Sequence, residues 1–171
     1  MASGDFLFNF EPPHGAPPAT TAATLDIVPG TSSPAENMYV YDFDTGTAEY
    51  MDFFGTMPTH YAGGGVTCKV ECSASSATSS NFRVGLAFRL RDTTDDWDTT
   101  AHTYQFNEAS LAVPGTVGNS VVGTISFTAG ADMDSVIAGS RFVLRIYRNV
   151  SHADDAASGD MQLERIYATE T

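Results

Sequence analysis

The chain has 171 residues, a net charge of −13 and a pI near 4.3, with 42% hydrophobic but only 17% charged residues. That length fits one domain with a core large enough to fold without disulfide or metal staples. Twenty-one acidic residues against eight basic ones exclude a free-standing nucleic-acid binder and disfavour an anionic membrane surface, since both need clustered Lys and Arg.

Residues 1–22 read as an extended N-terminal arm. Its middle, EPPHGAPPATTAAT, is rich in Pro, Ala and Thr and has no apolar periodicity. Ahead of it, DFLFNF places Phe6, Phe8 and Phe10 on one parity, with Leu7 between them. The aromatics either tuck onto their own domain or dock on another protein; the second is the expectation, with Phe6, Leu7, Phe8 and Phe10 attaching the chain to its particle or its neighbours. The opening MASGDFLFNFEPPHG lacks a basic leader and a long apolar stretch, so no secretory signal is expected. No run reaches the ~18 apolar residues of a membrane span.

From residue 23 onward the pattern is all-β. Strands are predicted over ATLDIV (23–28), MYVYDF (38–43), AEYMDFFG (48–55) and VTCKVECSA (66–74). The clearest is NFRVGLAFRLR (81–91), where Phe82, Val84, Leu86, Phe88 and Leu90 face one way and Arg83, Arg89 and Arg91 the other. TAHTYQFNE (100–108), NSVVGTISFT (119–128), SRFVLRIYRN (140–149) and GDMQLERIYATE (159–170) complete the set, and ADMDSVIAG (131–139) makes one helical turn. Strands of this length and spacing, without a helix long enough for a βαβ crossover, define residues 23–171 as an antiparallel two-sheet sandwich of jelly-roll type. Cys68 and Cys72 share one parity of a strand. Four residues along a strand span ~13 Å, beyond the ~7 Å that a disulfide bridges, so both are expected to be free, buried thiols.

Chemistry-bearing patterns are sparse. The loop Asp92-Thr-Thr-Asp95-Asp96-Trp97-Asp98 crowds four carboxylates but lacks the Gly and the distal Glu of an EF-hand loop. It reads as a solvated turn, with calcium binding as the lesser alternative. Trp97 is a possible loop contact, either with a partner or with a sugar. His14, His60, His102 and His152 are scattered, no Ser lies in a G-x-S-x-G context, and the glycines at 63–65 precede a strand rather than a helix. No enzyme activity, catalytic residue, cofactor or metal is predicted.

Two stretches carry a resemblance: YDFDTGTAEYMDFFGTMPTHYAGGGVTCKV (41–70), and the region from TISFTAGADMDSVIAGSRFVLRIYRN through GDMQLERIYATE (124–170). They resemble small β-sandwich structural proteins of tailed-bacteriophage virions, of the capsid decoration or cement type. The resemblance implies a non-enzymatic head-stabilising protein, with the major capsid protein and further copies of itself, as a homotrimer, for partners. It implies location on the virion capsid surface after assembly in the host cytoplasm. The alternative function is a carbohydrate- or receptor-binding module of a phage appendage, with Trp97, Tyr104 and Tyr61 as a stacking platform; a third is a host-encoded intracellular sugar-binding protein.

Overall fold

A computed structural model describes residues 4–96 and 101–171. Eleven strands build it: β1 (Phe6–Phe10), β2 (Gly15–Ala16), β3 (Thr24–Pro29), β4 (Asn37–Phe43), β5 (Tyr50–Thr56), β6 (Val66–Ala74), β7 (Asn81–Leu90), β8 (Asn107–Ala112), β9 (Val121–Phe127), β10 (Arg141–Arg148) and β11 (Met161–Glu170). Among the described residues, helix is confined to single 3₁₀ turns at Pro12–His14 and Ala131–Met133. One sheet runs β3-β4-β11-β6-β9, with β1 also paired to β11; the other runs β2-β5-β10-β7-β8. All the strand pairings within the two sheets are antiparallel. The molecule is therefore the jelly-roll-type sandwich that the alternation predicts.

The core follows from period-2 patterning. Phe82, Val84, Leu86 and Phe88 of β7, Phe142, Leu144 and Ile146 of β10, and Val66, Cys68, Val70 and Cys72 of β6 all point inward and are buried. Both cysteines are free. Where large rings cross the interior, glycine makes room. A Cβ on Gly55 would lie 2.7 Å from the Phe142 ring and 2.8 Å from the Phe10 ring.

Two expectations are corrected. Residues 4–22 are not a free arm. Strand β1 pairs with β11, Gly15–Ala16 pairs with β5, and Leu7, Phe8 and Phe10 lie in the core. Only Phe6, at 57% exposure, stays outside. The ladder shifts register between Phe6 and Phe8. A bulge there breaks the alternation, so neighbours Leu7 and Phe8 both turn inward and Phe6 outward. The cause is β11, which is longer than its partner β4. Met161–Leu163 pairs with β4, which leaves Ile166–Thr169 on the same edge for β1. Unpaired backbone beside a core is costly, and the N-terminal segment satisfies it.

The second correction concerns residues 100–108, read as one strand: pairing begins only at Asn107. One sheet arginine, unlike Arg83 and Arg145, does not face outward. Arg148 falls on the inward parity and is fully buried. Its guanidinium pairs with Asp155 at 2.8 Å, donates to the carbonyls of Phe43, Ala157 and Gly159, and lies 4.8 Å from the Phe82 ring centre.

Beyond Tyr41, the β3–β4 hairpin outruns β11 and projects as a two-stranded ribbon. Leu25 and Ile27 stand opposite Tyr41 and Tyr39. Tyr41 is buried, whereas Leu25, Ile27 and Tyr39 are exposed.

Candidate ligand-binding face

Outward-facing residues of the five-stranded sheet fall into rows set by strand register. One row reads Tyr50, Tyr147, Gly85, Glu108 from β5 to β8; the next reads Asp52, Arg145, Ala87. Tyr50 and Tyr147 stack with ring centres 5.3 Å apart and planes 6° from parallel. Gly85 makes this possible, because a Cβ there would lie 2.2 Å from the Tyr147 ring.

Residues 101–106 lie against this face instead of forming a strand. Phe106 reaches Tyr147 at 4.4 Å, and Tyr104 lies 4.1 Å under the Arg145 guanidinium. Tyr104 and Phe106 are themselves stacked, 6.0 Å apart. Four aromatic rings from β5, β10 and the crossing segment thus form one half-buried surface.

Two ion pairs frame it. Arg145 binds Asp52 through two hydrogen bonds of 2.6 and 2.7 Å, the fork geometry that fixes a guanidinium most rigidly. Arg83 donates to Glu108 at 2.9 Å, and Glu108 also accepts from the Tyr147 hydroxyl and, at 3.0 Å, from Asn149. Burial alone would raise the Glu108 carboxyl, but these donors outweigh it and hold it below the ordinary glutamate range. Burial, followed by the hydrogen bond to Glu108 and then its charge, pushes the Tyr147 hydroxyl well up. Burial likewise raises Tyr104.

Of the residues singled out from sequence, only Tyr104 joins this surface. Tyr61 is buried elsewhere, its hydroxyl bonded to the Gly64 carbonyl. Trp97 lies outside the described residues. Leu7, Phe8 and Phe10 are core residues and Phe6 stands apart from them. Tyr50, Phe106, Tyr147, Arg145, Asp52 and Glu108 were missed. Tyr50, Asp52, Arg145 and Tyr147 all occupy outward strand parities, so aromatics on the polar side of the alternation were the available signal. Of the acidic loop, Asp95 lies 3.6 Å from Arg89 and 3.5 Å from Arg91. Among the described residues, no group of three or more His, Cys, Asp or Glu side chains is placed to hold a metal ion.

No family model and no curated protein matches the chain. Solved structures with a similar course include the CBM22-1 xylan-binding domain of Paenibacillus barcinonensis Xyn10C, 12% identical, covering 99% of this chain and 97% of that one at a TM-score of 0.49. The C-terminal CBM6 of a laminarinase, LamC, from Zobellia galactanivorans is 15% identical, covering 96% of this chain and 99% of that one at 0.42. The CBM35 of Cellvibrio japonicus Abf62 is 6% identical, covering 95% and 91% at 0.45.

Proposed function

We propose that the chain is a non-catalytic module that binds carbohydrate on the outer face of its five-stranded sheet. The observation that carries this reading is the convergence of Tyr50, Tyr104, Phe106 and Tyr147 with the Arg145–Asp52 and Arg83–Glu108 pairs on one surface. Flat apolar rings suit the C–H faces of sugar rings, and charged groups already locked in position suit their hydroxyls, which then bind without a fresh ordering cost. A virion-shell role, with a capsid protein or further copies as partners, is the second reading. It would need a surface other than the N-terminal segment, whose apolar residues are largely inside.

The test is calorimetric titration with neutral β-linked oligosaccharides, xylohexaose and cellotriose among them. The intact chain should bind at least one. Tyr104→Ala should weaken that binding about tenfold or more, equivalent to ~1.4 kcal/mol, with the unfolding midpoint little changed. Failure of every oligosaccharide to bind the intact chain sinks the reading, and unchanged affinity in the variant moves the site off this face.

A further inference from the structure

A second surface lies on the other sheet, at the root of the projecting ribbon. There the turn after β1 approaches the start of β4 and encloses a cavity of about 330 Å³. Its apolar walls are Pro12, Pro13, Met38 and Tyr39. Its carboxylates are Glu11, Glu71 and Glu164; the one cation, Arg165, is engaged by Glu71 in an ion pair. Glu164 is held in place by the Ser120 hydroxyl at 2.7 Å. Three carboxylates against one guanidinium thus leave two net negative charges around an apolar slot.

We propose that this cavity takes an Arg or Lys side chain from an extended segment of a partner protein, whose apolar residues cover the ribbon. A basic side chain is amphipathic: its methylene stem suits Pro12, Pro13 and Met38, and its cationic head suits Glu11 and Glu164. The ribbon supplies the adjoining apolar contact: Met38, 38% exposed, lies on one face, and Leu25, Ile27 and Tyr39, 46%, 43% and 49% exposed, share the other, which the segment reaches by wrapping the ribbon. Charge selects the partner's sign, because residues 1–82 hold nine acids and only Lys69. A second copy is a poor occupant. It would bring another net charge of −13, and the Asp26 carboxylate, in the middle of edge strand β3, already takes the Ile27 N–H at 2.7 Å.

The experiment is a titration of the ¹⁵N-labelled chain with an acetylated, amidated peptide LRLRLR, and with LELELE as its opposite. LRLRLR should bind saturably, with amide shifts concentrated at residues 11, 14, 37–39 and 164–165, and LELELE should not bind. Glu11→Gln combined with Glu164→Gln should weaken binding about tenfold. Asp44→Asn combined with Asp160→Asn removes the same charge at a separate acidic pocket and should leave affinity unchanged. Equal weakening by both pairs, shifts spread over the whole acidic surface, or a concentration-dependent dimer through the ribbon without peptide would each overturn the proposal.

Discussion

Arg148 draws several separate parts of the chain together. It ties β10 to the carbonyls of Phe43, Ala157 and Gly159 and to the Asp155 carboxylate, all away from water. Removing one member of a buried pair leaves the other charge uncompensated, so Arg148→Ala should cost about 3–5 kcal/mol, read from the urea midpoint. Adding Asp155→Ala should recover only part of this, because the three carbonyls and the Arg83 N–H that Asp155 accepts would still lack partners. Glu108 gives a pH signature. Its carboxyl is held below the usual range in the folded chain, so its contribution is present above the unfolded pKa of about 4.3 and fades as pH falls through the lower folded value. Tyr147→Phe removes one of the donors responsible. The intact chain should therefore lose more stability than Tyr147→Phe on acidification from about pH 5 to about pH 3, compared by thermal melts. Neither Arg148 nor Glu108 stood out in the sequence. An arginine on an inward parity looks like any other sheet arginine until a distant loop brings it an aspartate.

At the scale of elements, β1 shows how a local pattern and its tertiary use part company. Three alternating aromatics identify a short strand, and residues 6–10 are one. What period-2 logic cannot show is the unfilled edge of β11, which pairs Phe6 with Thr169 and Phe10 with Ile166, or the bulge that shifts parity within the strand. The consequence is measurable. Phe8→Ala should destabilise by about 3–5 kcal/mol, as for other large-to-small core changes, and Phe6→Ala by a few tenths. Deleting residues 2–20 should sharply lower the melting temperature; a truncated chain that melts like the intact one would show β1 to be an ornament. The strands with strict alternation, β6, β7 and β9, were legible almost residue by residue, because each has one face wholly in the core. The segment at 100–108 misled for the opposite reason. Tyr104 and Phe106 alternate as in a strand, yet their partners are rings on a sheet face rather than a neighbouring backbone.

For the whole molecule, the fold class was readable because nearly every segment repeats the same two-residue period, whereas the order of strands was not, because pairing joins residues far apart in sequence. The candidate face suffers from the same limit: its aromatics come from three separate stretches. Global unfolding should be what exposes the two thiols. Burial alone pushes Cys68 well up, and burial first of all pushes Cys72 up to about 12, so neither is a thiolate near neutrality. Titration with a thiol reagent should be slow in buffer and give two equivalents in denaturant; rapid native labelling would contradict the core assignment.

The pairing of β1 with β11 also sets how the chain is delivered. The Gly4 amide donates to the Glu170 carbonyl at 2.7 Å, and the Glu170 amide to Asp5 at 2.8 Å. The polypeptide thus enters and leaves the sandwich through one doorway. A bead with adjacent entry and exit can be threaded into a surface loop of another protein without prising its host apart. It can also be re-opened elsewhere. A circular permutant with the old ends joined by a short Gly/Ser linker, and new ends cut within residues 30–36, should fold and unfold as cooperatively as the parent.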